Sequence, residues 1–579
     1  MIQKNSVMWN DEYKKDGYLY FAQRIVEMLD HKTIDIYRVP LLNTMRLVDE
    51  YIVVDEGHAK KYNLEHILAE FKKSLKSDIV LQNRWGENKI AEVLSYINSK
   101  QNQRTKLMKY IKSVIEPQYL NWCLSLAREI IPQAKEKDLI ERIIRCLLPE
   151  LLSKGYARED VFSFANETFF NDEITPEEAL EKFLSFYDCK NKQFSVYLGV
   201  KKTLSLFNDV YKKRLNLSFE DDGNFNELHV PENYFVVAKK NVKALDATHA
   251  AKIVYKNLEL FTSLYQFLGN YSTNLIYKRV FVIDETAKGH VVNANIRKVS
   301  SEIIEDRPLA GGIAEMIITL LMKKAECVIP EIERIIQLHN RAIDNIGLEN
   351  GFLNFWSLLE MVCVSDPDVS HINQVSEILV PILQYSYYNS IFGDLNSNLL
   401  EVLGTEAYQR YLGSVAIGDK DYEKLLYIVF LPEYEPLLND MTDYLLNYPV
   451  LRSRLLNFHD RYTNKKDLFS VTEIYAERVK WHLYRIYRAR NAISHSGIKP
   501  SNLKDLGEHL HSYVDDLIVE LIQKLALANL CTISSAIIDC ALNFEAISAL
   551  FSTKTPLDQA SLKKLCVNAG NIFYNSPVE

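Results

Sequence analysis

The chain has 579 residues, 47% apolar and 25% charged, the composition of an ordinary globular protein with more than one core. Its net charge of −8 argues against a surface coated in positive charge for non-specific duplex binding, though not against a local basic site. With only 19 Gly and 16 Pro among many Leu, Ile, Glu and Lys, it reads as mainly α.

The opening "MIQKNSVMWNDEYKKDG" is polar and lacks the apolar core of a signal peptide. From residue 1 to about 155 the pattern is mostly helical. "EHILAEFKKSLKS" and "KDLIERIIRCLLPELLSKG" carry apolar residues at three- and four-residue spacing. Gly155 follows the second run, where a helix end favours glycine. "EYIVVDEG" reads as a short strand.

Between 156 and 308 the period changes, which predicts a small α/β or α+β insert. "FSVYLGV" alternates, with Phe194, Val196, Leu198 and Val200 on one side. "ENYFVVAKK" and "IYKRVFVIDETAKGHVVNANI" are β-rich, the latter a hairpin turning near Lys288 and Gly289. "THAAKIVYKNLELFTSLYQFLG" is a helix between them, and Asp221-Asp222-Gly223 a loop.

From 309 to 545 helices dominate again as a bundle, and 546–579 forms a helical tail. "IPEIERIIQLHNRAIDN" is one helix and the very apolar "GFLNFWSLLEMVCV" another, with Trp356 and Glu360 near its centre. The longest apolar stretch, about Leu525 to Ile538, contains Asn, Thr and Ser and is too short to span a bilayer. The eight cysteines form no C-x-x-C pair and no zinc-site spacing, so buried free thiols and a cytoplasmic protein are expected.

The candidate chemistry lies in "RIYRARNAISHSG", residues 485–497. Ser470 and Glu473 fit a capping box, which predicts a helix starting near Val471. Its apolar stripe runs Tyr475, Val479, Leu483, Ile486 and Ile493, and the same steps place Arg490 on that face. A buried guanidinium without partners costs several kcal/mol, so Arg490 needs an anion or acceptors. Gly497 and Pro500 end the helix, with His495 in its last turn. Arg478, Lys480, Arg485, Arg488 and Arg490 face a single acid, Glu477, and Trp481, Tyr484 and Tyr487 are interleaved with them. Such a mixture suits single-stranded nucleic acid, through phosphate pairing and base stacking, although a basic helix is often only a solvated face. Lys480, Trp481, Tyr484, Arg485 and Arg488 are the candidate substrate contacts. Arg490 and His495 are five residues apart and so about 140° apart around an ideal helix. Either the last turn distorts or a second chain completes the site.

"RARNAISHSG" resembles the signature of HEPN domains (higher eukaryotes and prokaryotes nucleotide-binding), in which Arg and a polar residue precede His. "RAIDNIGLENGFLNFWSLLEMV" is similar to the first long helix of the bacterial ApeA-like branch, and "LKDLGEHLHSYVDDLIVELIQKL" to its closing helix, so the resemblance covers about 330–540. It implies a HEPN-type helical bundle that forms a homodimer or higher homo-oligomer, with two motifs meeting in one cleft. It implies metal-independent cleavage of single-stranded RNA (tRNA or mRNA) by 2′-OH attack, with no cofactor and no metal. Arg490, Asn491 and His495 would be the catalytic residues: His495 the proton carrier, Arg490 the cation on the developing phosphorane charge, Asn491 the orienting group. Members of this branch resemble anti-phage, abortive-infection effectors. The N-terminal half would then be a sensor or an inhibitory module holding the nuclease off, with the insert at 156–308 its sensor or regulatory part and a phage-derived trigger as partner. The alternative is a non-catalytic HEPN module binding RNA or a partner protein.

Two other features bear on chemistry. Asp78 with Glu87-Asn88-Lys89 has the acid-x-Lys spacing of metal-dependent nucleases, but it follows Gly86 in a turn rather than lying on a strand. Glu360 is the one acid with the position of a supporting group, weighed against a structural ion pair with a bundle arginine. His509 and His511 lie two apart on a helix and make poor joint metal ligands.

Overall fold

The computed structural model describes residues 16–30, 42–56, 61–133, 137–171, 173–187, 190–201, 216–220, 234–269, 275–293, 329–344, 347–418, 420–500, 502–527, 530 and 532–567. The protein is mainly helical with one small antiparallel sheet. The chain divides into two compact units. One joins residues 1–146 to 297–579; the other is 147–296. The N-terminal helices and the C-terminal bundle therefore belong to one unit.

In that first unit the N-terminal helices are α1 (Asp16–Leu29), α2 (Thr44–Glu56), α3 (Lys61–Ser77), α4 (Ile79–Ser99), α5 (Arg104–Ile130) and the start of α6 (Lys137–Lys154). "EYIVVDEG" is not a strand. Its described residues lie in α2, because Met45, Leu47, Val48, Tyr51 and Ile52 are buried at helical spacing while Val53 faces solvent. The three- and four-residue period of the whole segment overrides the local β-propensity of Ile-Val-Val. Gly155 does end α6, with φ of 108° and its N–H donated to the Leu152 carbonyl.

The second unit holds α7 (Arg158–Phe169), α8 (Pro176–Phe186), β1 (Lys192–Lys201), β2 (Ser218–Glu220), β3 (Tyr234–Ala244), α9 (Ala247–Gly269), β4 (Ile276–Asp284) and β5 (Gly289–Asn293). The sheet order is β2-β3-β1-β4-β5, every pairing antiparallel, so the insert is α+β. Phe194, Val196, Leu198 and Val200 of β1 share one core with Ala250, Ala251, Val254 and Leu258 of α9, as the alternation requires. The β4–β5 hairpin turns through Asp284–Lys288, where Asp284 accepts from the Thr286 and Lys288 N–H groups. Asp221-Asp222-Gly223 lies outside the described residues.

The C-terminal helices of the first unit are α10 (Ile329–Asp344), α11 (Leu348–Cys363), α12 (His371–Leu403), α13 (Thr405–Gly413), α14 (Asp421–Phe430), α15 (Glu435–Tyr444), α16 (Pro449–Arg461), α17 (Lys465–Ser496), α18 (Leu503–Leu527), α19 (Ile533–Leu550) and α20 (Gln559–Val567). The segment from Arg341 to Val362, whose resemblance implies one long helix, is divided between α10 and α11. The two pack closely enough that a Cβ on Gly351 would lie 2.8 Å from the Ala342 carbonyl oxygen. Two cores follow. Parts of α10, α11, α12, α17, α18 and α19 enclose the first, around Phe352 and Trp356 of α11 and Val514 and Leu517 of α18. The second gathers α13 to α16 and α20 against the far ends of α12 and α17. The tail after residue 545 thus contributes Phe551, Leu557, Leu562 and Leu565 to a core.

The apolar stretch from Leu525 to Ile538 breaks between α18 and α19. Among the described residues, α19 is the one helix long and apolar enough to cross a membrane, and its Ala536, Cys540 and Ile547 are buried within the unit. Cys123, Cys146, Cys363 and Cys540 are buried free thiols; burial pushes Cys363 and Cys540 up to about 12.

Candidate functional site

Helix α17 carries every candidate residue except Glu360. It starts at Lys465, not near Val471. Asn464 is the cap, accepting the Asp467 N–H at 3.0 Å, and the Lys465 and Lys466 N–H groups donate to the Thr555 and Thr553 carbonyls. Those bonds satisfy the orphan donors of a helix start. Ser470 is inside the helix instead, its hydroxyl donating to the Asp467 carbonyl. Tyr475, Val479, Leu483 and Ile486 form the buried stripe, with Ile493 half-buried beyond them.

The end of the helix holds the motif. Arg490 donates to the Asn491 carboxamide oxygen at 3.0 Å and lies 3.5 Å from a Glu360 carboxylate oxygen on α11. The other Glu360 oxygen is 3.0 Å from His371 Nδ1 at the start of α12. The anion that Arg490 needs is thus Glu360, and the ion-pair reading of that acid is the observed one. The Arg490 side chain keeps 25% of its exposure, Glu360 17% and His371 47%. His495 is exposed, one turn on. The last turn is not distorted: α17 stays helical through Ser496, and Gly497 closes it at φ 61°. Gly497 donates to the Ile493 carbonyl, the bond of an αL helix end, and Ile498 donates to the Ala492 carbonyl. Arg490 and His495 of one chain consequently point about 140° apart.

The middle of the helix departs from expectation. Arg485 and Arg488 are not open to a substrate: both are enclosed by acids of the N-terminal helices. Arg485 makes a two-pronged contact with Glu50 of α2, at 2.9 and 2.8 Å, and reaches Glu70 of α3 at 2.6 Å. Arg488 pairs with Glu50 Oε1. Burial alone would raise the Glu50 carboxyl; the two guanidiniums outweigh it and hold Glu50 at about 2. Burial dominates at Glu70 and pushes it up, Arg485 opposing. Trp481 and Tyr484 are also buried, Tyr484 stacked on His66 of α3 at 3.6 Å and bonded to Asn373 at 2.8 Å. Lys73 sits 5.6 Å over the Trp481 ring and pairs with Glu477. His66, Glu70 and Lys73 therefore form an α3 seam at steps of four and three, matched to α17. Of the five candidate contacts only Lys480 is exposed.

The acid-x-Lys element does not assemble. Asp78 is buried, caps α4 through the Leu81 N–H and accepts the Tyr119 hydroxyl, whereas Lys89 points outward and pairs with Glu92. Gly86 has φ of 75° inside a kinked helix.

Sequence reasoning missed one group. His511 and Asp515 are one turn apart on α18, and His339 of α10 meets them. His339 Nε2 is 2.7 Å from Asp515 Oδ1 and 3.1 Å from His511 Nε2, which is 3.5 Å from the same Asp515 oxygen. Burial lowers His511 to about 4 against the pull of Asp515, so the ring is neutral at neutral pH. The four-residue His-Asp step was readable in the sequence; its partner 172 residues away was not.

No protein-family model matches the chain, and neither does any curated protein or solved structure.

Proposed function

We propose that the chain is a HEPN-type endoribonuclease that cleaves single-stranded RNA without a metal in the reaction. The observation that carries the reading is the end of α17: Arg490 bonded to Asn491 and held by Glu360, with an exposed His495 one turn beyond. Imidazole is the side chain that ordinarily changes charge near neutral pH, so His495 suits proton transfer. In the reaction the ribose 2′-OH loses its proton, its oxygen bonds to phosphorus, and the bond to the departing 5′ oxygen breaks as that oxygen gains a proton. The products are a 2′,3′-cyclic phosphate and a 5′-OH. Arg490 stabilises the charge on the phosphorane oxygens, and Asn491 orients Arg490 or the phosphate. Because the final turn is regular, one chain does not bring its own Arg490 and His495 to one side; two chains pairing through these helices would. The RNA, the homodimer, a cytoplasmic setting and an anti-phage role with a phage-derived trigger all belong to this reading.

Glu50 and Glu70 give the N-terminal helices a part in it. They neutralise the basic middle of α17 and leave its end open. A second reading, a non-catalytic module that binds RNA or a partner protein, is favoured by Glu360, which already neutralises Arg490.

The test is purified full chain incubated with a mixed RNA pool, with and without EDTA, beside His495→Ala. Cleavage by the wild type alone in both buffers, leaving 2′,3′-cyclic ends, is the expected result. RNA binding without cleavage, unchanged in His495→Ala and weakened in Arg490→Ala, would move the assignment to the binding module.

A further inference from the structure

The His339, His511 and Asp515 cluster is not used by the proposed chemistry. It lies in the first core, and its side chains are 12%, 1% and 8% exposed. Phe355 of α11 closes it, stacked on the His511 ring at 4.4 Å and set edge-on to His339 at 5.6 Å. Two imidazole nitrogens and one carboxylate oxygen thus converge in a largely dry pocket.

The three separations decide what can occupy their centre. Donors bound to one tetrahedral ion at about 2.0–2.1 Å lie roughly 3.3 Å apart. The observed edges of 2.7, 3.1 and 3.5 Å bracket that value. A single proton cannot serve all three contacts. If it sits on His339 and points to Asp515, the two ring nitrogens are left facing each other. If it runs from His511 to His339, a carboxylate oxygen faces an imidazole lone pair at 2.7 Å. A shared cation meets all three lone pairs at once. Imidazole nitrogen is a borderline ligand, and two of them beside a single carboxylate suit a first-row transition ion better than Mg²⁺ or Ca²⁺, which take oxygen.

We propose that His339, His511 and Asp515 form a binding site for one divalent first-row transition ion, with zinc the ion its donor set favours. The ion joins α10 to α18, helices far apart in the chain. Its place is structural. Phe355, the wall of the site, is five residues from Glu360 on α11, so the ion steadies the helix that holds Arg490. The site stands independently of the ribonuclease reading.

The test reads the metal directly. The full chain is stripped with a chelator, dialysed and titrated with zinc against a chromophoric competitor, and separately with cobalt. One zinc per chain, a rise in Tm on zinc but not magnesium addition, and the intense visible absorption of four-coordinate cobalt are expected. His339→Gln and Asp515→Asn, which keep hydrogen-bonding capacity, should lose the zinc, the Tm rise and the cobalt band while keeping the wild-type circular dichroism. Absence of zinc and cobalt binding by the folded wild type would overturn the proposal and leave a hydrogen-bonded His-Asp cluster. Retention of one zinc in folded His339→Gln would overturn the assignment of these ligands.

Discussion

The middle and the end of α17 are built from the same residue types and meet opposite fates. Arg485 and Arg488, with 8% and 11% of their side chains exposed, are surrounded by Glu50 and Glu70. Arg490 has one longer ion pair, and His495 has the solvent. A charge buried in the middle is held by short, charge-assisted bonds and serves the joint between the N-terminal helices and the bundle. A charge at the end keeps contact with solvent. Basic residues interleaved with aromatics therefore did not define one surface: burial divided them into a set enclosed by acids and a set in contact with solvent.

The largest effect that would break this comparison is catalytic. His495→Ala should lower RNA cleavage by about 10²–10⁴-fold, the usual contribution of a proton-transfer group, and leave unfolding within about 0.5 kcal/mol of wild type. Cleavage rates and denaturant unfolding on the same preparations check it; equal loss of stability would place His495 in the fold instead. Next is Glu50→Ala, which strips both arginines of a shared partner. Arg488 Nη1 already lacks a hydrogen-bond partner among the described residues. Destabilisation of about 3–5 kcal/mol is expected, the cost of an uncompensated buried charge. Adding Arg485→Met and Arg488→Met to that variant should recover part of it, since the stranded charges are then gone.

Acid should act on the middle of α17 through Glu50 and Glu70. Glu50 is held below its ordinary 4.5 at about 2, so its contribution is complete above pH 4.5 and lost as the pH falls toward 2. Glu70, raised by burial, takes its proton earlier and leaves Arg485 to Glu50. The insert runs the other way. Burial and Asp160 raise Asp246 to about 7, so its contribution is complete below pH 3.8 and lost as the pH rises through 7. Hydrogen exchange, corrected for intrinsic rates, should show residues 147–296 less protected at pH 8 than at pH 5, and α2 and α3 less protected at pH 3 than at pH 5. The smallest effect is Glu360→Gln. Its partner is partly exposed, so the change should cost no more than about 1 kcal/mol of stability while strengthening RNA binding by freeing Arg490. Weaker binding in Glu360→Gln would make that acid a positioning group for Arg490 rather than a restraint on it.

What was legible in the sequence is what depends on near neighbours. The β1 alternation, the hairpin at Lys288-Gly289, the ends at Gly155 and Gly497 and the buried stripe of α17 follow from side-chain period and backbone conformation. These are properties of a few adjacent residues. The α17 start misled because its first N–H groups are satisfied by the carbonyls of Thr553 and Thr555, distant neighbours that no local motif announces. "EYIVVDEG" misled because three β-branched residues outweighed a longer helical stripe. The Arg490 stripe position and the need for an anion were readable; that the anion is Glu360 came from packing α11 against α17. Only the tertiary structure decided which charges are spent inside the protein. Arg485 meets Glu50 across 435 residues of chain and His339 meets Asp515 across 176. A charged side chain reads the same in sequence whether it ends in water or against an acid. Its fate is set by desolvation and by the partner that folding brings to it, and neither is a local quantity.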